Sequence, residues 1–78
     1  MPKAFLNDRD RACHRLATWI QGEKKLKNTN DTELANEHGI SQSAMSRKLR
    51  LESFDFKDFV FFAKKFEMDK DTFDYIIG

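Results

Sequence analysis

The stretch from Asn30 to Leu51, NDTELANEHGISQSAMSRKLRL, restricts the fold of this chain more than any other. Asn30 followed by Glu33 has capping-box spacing: the Asn side chain accepts from the Glu33 amide while Glu33 reaches back to the amide of the cap, so a helix is expected from Asp31. Gly39 supplies the left-handed backbone that ends a helix at low steric cost, and Ser41 caps a second helix beginning at Gln42. Two short helices therefore meet across a three-residue turn, Gly39 to Ser41. Leu34, Ala35 and His38 share one face of the first, Ile40 points inward from the turn, and Met45 and Leu49 are an i,i+4 pair on the second. Ala35 is small enough to let two crossing backbones approach.

What remains outward on the second helix is Gln42, Ser43, Ser46, Arg47 and Arg50, all able to hydrogen-bond to base edges or phosphates. A helix with that face fits a major groove. The pattern LAxxxGISQSxMSR, carried by Leu34, Ala35, Gly39, Ile40, Ser41, Gln42, Ser43, Met45, Ser46 and Arg47, resembles the helix-turn-helix of the lambda-repressor-like (XRE and Cro) superfamily of phage and bacterial regulators. The likeness extends in layout from about Asp8 to Gly78 and is specific in the helix-turn-helix alone. It implies an all-α domain of five short helices that binds duplex DNA sequence-specifically, as a repressor or as an activator of lysogeny, on a palindromic operator and as a homodimer or higher even oligomer. Gln42, Ser43, Ser46, Arg47 and Arg50 are expected to read bases; Lys24, Lys25, Lys27, Thr32, Ser41 and Lys48 are expected along the DNA backbone. Two positions depart from the family pattern. Lys48 stands where members usually carry an apolar residue, with Leu49 taking over that packing, and Asp31 stands where many carry an uncharged polar residue able to touch a phosphate, which an acid would repel.

Charge distribution agrees with that reading better than net charge does. The formal balance over 78 residues is only +1, a weak case for a polyanionic partner. Up to Leu51, however, ten Lys and Arg face six Asp and Glu, a balance of +4; from Glu52 onward four face seven, a balance of −3. The acidic half is expected to turn away from DNA. Seventy-eight residues make one small domain, read as 7–78 behind a flexible arm at 1–6, in which Lys3 is a possible phosphate contact. The single cysteine, Cys13, forms no intramolecular disulfide and reads as a small core residue; with no long apolar run, the bacterial cytosol or nucleoid is the expected place. No zinc-ligand cluster and no nucleophile–base constellation is visible around Cys13, His14 or His38, so no enzyme activity, metal, cofactor or small-molecule ligand is expected.

The flanking segments read as scaffold. Asn7 or Asp8 caps a first helix with Cys13, Leu16, Ala17 and Ile20 on its core face; Arg9, Arg11 and Arg15 line the other side as either a solvated or a phosphate-contacting face. Gly22 either ends that helix or lets it fray on to Leu26, and Lys24, Lys25 and Lys27 are a solvated run or phosphate contacts. Asp55 caps a fourth helix, with Phe54 and Phe59 as a hydrophobic staple and a core stripe of Phe56, Phe59, Val60, Ala63 and Phe66. Asp69 caps a fifth, with Phe73, Ile76 and Ile77 inward. Phe61 and Phe62 do not fit the stripe and are expected as an oligomer contact, which Tyr75 and Ile77 near the chain end join. His38 reads as a packing histidine and the carboxylates as helix-surface and cap residues. A reading of another class keeps the fold and discards the DNA: a small protein-binding module or inhibitor whose contact surface is the Phe-rich acidic half.

Overall fold

The computed structural model describes residues 8–78, so the expected arm at 1–6 with Lys3, and the cap at Asn7, lie outside the described residues. Five helices follow in order: α1 Asp8–Leu26, α2 Asp31–His38, α3 Gln42–Leu51, α4 Phe56–Lys65 and α5 Lys70–Ile77. The fold is all-α, as expected. Each of the four later helices starts where a side-chain oxygen takes an otherwise orphaned amide: Asn30 accepts from Glu33 at 2.9 Å, Ser41 from Ala44 at 3.1 Å, Asp55 from Asp58 at 2.8 Å and Asp69 from Thr72 at 2.8 Å. The amide of Thr72 bonded to Asp69 holds that carboxyl below the usual carboxylate range.

The ends of the first four helices share one device. The amides of Thr29, Ile40, Ser53 and Met68 reach back five residues to the carbonyls of Lys24, Ala35, Lys48 and Ala63 at 2.9–3.1 Å, the six-to-one closure of a Schellman turn. Each closure needs the preceding residue in the left-handed region. Gly39, at φ 79°, enters it freely; Asn28, Glu52 and Glu67, at φ 52–53°, enter it against the clash of their Cβ, at a cost on the order of 1 kcal/mol each. α1 runs on through the exposed Gly22 to Leu26, and the closure at Lys24 finishes it.

α1 packs along α5, and α2 packs against α3. The core between them is Leu16, Ala17 and Ile20 from α1, Leu34 and Ala35 from α2, Met45 and Leu49 from α3, Phe54 from the following loop, Phe62 and Phe66 from the end of α4, and Ile76 from α5. Phe62 and Phe66 lie stacked with centroids 6.3 Å apart, Phe54 meets Phe62 edge-on at 5.9 Å, and Trp19 meets Phe66 the same way at 5.9 Å. Ala35 is 1% exposed in the contact between α2 and α3. Ala35→Leu is therefore expected to overpack that contact and cost roughly 1–3 kcal/mol, read as a lowered thermal midpoint. An unchanged midpoint would show that the two helices have room to spare.

The aromatic stripe on α4 is rotated from its expected position. Phe56, expected in the core, is 81% exposed, while Phe62, expected as an oligomer contact, is fully buried. Asp58, Phe62 and Phe66 recur at i,i+4 and take the inner face, and Phe59, Val60 and Ala63 flank it half-buried. On α5, Ile76 is buried as expected, but Phe73 and Ile77 are exposed.

Candidate nucleic-acid interface

α3 divides cleanly by face. Met45 and Leu49 are buried, and at about 100° per residue Ser43, Arg47 and Arg50 fall on the opposite side, with Gln42 at the exposed first turn. Gln42, Ser43, Arg47 and Arg50 are all exposed. Arg47 and Arg50 carry no ion pair among the described residues, so their guanidinium groups present full donor sets outward. Sequence reasoning left out Ala44 and Leu51, which lie on the same outward side, with Leu51 59% exposed. Thr32 and Ser41 are exposed at the starts of α2 and α3, with Ser41 engaged as the cap.

The flanks of α3 are tied down. On one side Ser46 donates through Oγ to Asp31 Oδ2 at 3.1 Å, and the other oxygen of the same carboxylate takes Lys24 Nζ. Ser46, expected on the base-reading face, is thus half-buried and turned toward α2. Lys24 is likewise occupied inside the molecule. On the other side Lys48, expected along the DNA backbone, donates through Nζ to Asp58 Oδ2 at 2.9 Å, so its charge has a buried partner. Lys27 pairs with Glu23 one turn back at 3.5 Å, and Lys25 remains exposed.

Asp58 is the hub, and sequence reasoning missed it. It is 1% exposed, and its carboxylate accepts from His38 Nε2 at 2.7 Å, from Lys48 at 2.9 Å and from the Asp55 amide at 3.1 Å. The last of these, with Asp55 accepting from the Asp58 amide, completes a reciprocal capping box. Burial pushes the Asp58 carboxyl up, but the hydrogen bonds from Lys48, His38 and the Asp55 amide, with the charge of Lys48, outweigh it and hold the group below the usual carboxylate range. Lys48 moves the other way: its bond to Asp58 raises it against a smaller burial penalty, helped by the charges of Asp58 and Asp55. His38 packs, as expected, stacked 4.4 Å from Phe61, yet it also joins α2 to α4 through this acid. A further bridge, Lys65 to Glu37 at 2.6 Å, joins the same two helices. The only trace of the hub in the sequence is the Asp55–Asp58 spacing.

Of the arginines of α1, Arg9 and Arg11 are exposed, as a solvated face requires, and Arg15 is half-buried; all three also have partners within the fold. Arg9 donates to the Phe54 carbonyl at 3.3 Å, Arg11 pairs with Asp8 at 3.5 Å, and Arg15 donates to the Tyr75 carbonyl at 2.9 Å with its guanidinium 5.3 Å from the centre of the Tyr75 ring. His14, without an apparent companion in sequence, holds both oxygens of Glu52 at 2.9–3.0 Å. Of the expected oligomer contacts, Phe62 is core and Phe61 is half-buried on His38, while Tyr75 and Ile77 are exposed. An open apolar groove of about 310 Å³ between α1, α4 and α5 is lined by Leu16, Phe54, Phe56, Phe59, Phe73 and Ile77.

The chain matches no protein-family model, no curated protein and no solved structure. No helix among the described residues is long and apolar enough to cross a membrane.

Proposed function

We propose that this protein is a sequence-specific duplex-DNA-binding transcriptional regulator that lays the outward face of α3 in the major groove, of the kind the lambda-repressor-like resemblance implies. The observation that carries the proposal is the exposed set Gln42, Ser43, Arg47 and Arg50 on a helix whose other face is locked into the core, with both arginines unpaired among the described residues. An Arg fork suits guanine or a phosphate, and Gln suits adenine. Ser46, Lys24 and Lys48 are each engaged with a carboxylate of the same chain, which favours a reading carried by the four exposed residues. What remains is a compact footprint, and one copy would read few base pairs, so a symmetric pair on a palindrome suits it.

The test is titration of the protein with random duplex at low and then moderate salt, followed by selection of bound sequences from a random pool. Salt-sensitive binding and a recovered palindrome are expected. On the selected site, Gln42→Ala is expected to weaken binding by roughly 1–3 kcal/mol without loss of helicity. Equal affinity for the selected site would remove Gln42 from the reading head. A second reading is favoured by the open groove beside Phe56, Phe73 and Ile77: a protein-contact face, for a second copy of the chain or another partner. Absence of any affinity for duplex at low salt would leave that reading in place of the first.

A further inference from the structure

Lys24 near the end of α1, Asp31 in the first turn of α2 and Ser46 in the middle of α3 converge on one carboxylate: Lys24 Nζ donates to Oδ1, and Ser46 Oγ to Oδ2 at 3.1 Å. An ammonium and a hydroxyl are the donors that protein surfaces ordinarily offer to DNA phosphates. Here an acid of the same chain takes both. The side chains of Lys24 and Asp31 are only 17% and 27% exposed, so the pair is partly shielded from water and from salt and does not open as freely as a surface pair. A phosphate approaching the start of α2 beside the α3 face meets a negative charge whose neighbouring donors are already occupied.

We propose that Asp31 is an internal competitor for the DNA phosphate, holding down sequence-independent affinity so that the α3 face decides binding. The inference rests on the DNA-binding reading above. It makes Asp31 a specificity determinant acting by subtraction: it withdraws one cation from phosphate neutralisation and adds a repelling charge, while the base-reading donors Gln42 and Arg47 are untouched. Specificity is a ratio of affinities, and lowering its denominator raises it as surely as a new base contact does.

The experiment measures random-duplex affinity against salt for the wild type, Asp31→Asn and Asp31→Asn combined with Lys24→Gln, with a thermal melt of each. Asp31→Asn keeps an acceptor for Ser46 and removes the charge. It is expected to bind random duplex on the order of tenfold more tightly at low salt, with a salt slope steeper by about one, because Lys24 now neutralises a phosphate. The double variant is expected to lose that gain in slope. A purely structural staple would change the melting midpoint and leave the slope alone. If the amide variant folds poorly, Asp31→Ser, uncharged and well suited to a first helical turn, repeats the measurement. Wild-type binding with no gain in the folded variants would overturn the inference and leave the DNA reading standing; no binding by any of the folded proteins would overturn both.

Discussion

Asp58→Ala is expected to destabilise the domain by about 3 kcal/mol, because it strands a buried histidine and a half-buried lysine that now share one carboxylate. The loss is held to the lower end of the range for broken buried pairs by the ability of Lys48, whose side chain is 28% exposed, to swing into water. His38, with a side chain 6% exposed, has no such escape. Against a total stability of roughly 4–12 kcal/mol for a domain of this length, that is a large share. The pH dependence follows from the directions of the shifts. Asp58 is held below its unfolded value near 3.9, so its contribution is complete above that pH and is lost as pH falls through the folded value; Lys48 is held above its unfolded value near 10.4, so its contribution is complete below that pH and is lost as pH rises through the folded value. Melting midpoints measured from pH 3 to pH 7 should therefore converge for wild type and Asp58→Ala at the acid end. A constant gap down to pH 3 would mean that the carboxylate contributes by packing and not by charge.

Phe62→Ala is expected to cost about 3–5 kcal/mol and to lower the melting midpoint by roughly 15–30 °C, whatever the protein concentration. The ring sits against Phe54, Phe61 and Phe66, and its removal leaves a cavity that these large rings cannot collapse to fill. Phe56→Glu is the contrasting variant. At an exposed position it should leave the monomer fold within about 0.5 kcal/mol, and if the groove beside it holds a second copy it should abolish self-association in sedimentation equilibrium. A mild Phe62→Ala would return that ring to the surface where the sequence pattern expects it.

These two positions also show how far the chain could be understood before its structure. The helix starts were legible because capping is local chemistry: Asn30, Ser41, Asp55 and Asp69 each lie three residues from the amide they take, and nothing distant has to be known. The face of α3 was legible for the same reason, since Met45 and Leu49 are its apolar pair among polar neighbours. α4 was not. Of its seven apolar side chains Phe56, Phe59, Val60, Phe62, Ala63 and Phe66 share one broad side, but the face that turns inward lies at the edge of that side, where Asp58 finds His38 and Lys48 on two other helices. The pairings that engage Lys24, Lys48 and Ser46 within the fold span 7, 10 and 15 residues, distances over which spacing alone does not choose a partner. Glycine likewise marked one left-handed helix end, while Asn28, Glu52 and Glu67 gave no such signal.

α3 is held along both of its edges, by Asp31 through Ser46 and by Asp58 through Lys48. A rigid body gripped on two sides cannot roll about its long axis. Side-chain tips on a helix stand about 5–6 Å from that axis, so a roll of about 20° would carry an outward guanidinium roughly 2 Å sideways, enough to turn a bidentate contact into none. The orienting entropy that a freely rolling helix would surrender on meeting its target has already been given up during folding, so α3 arrives at any surface it recognises pre-aligned.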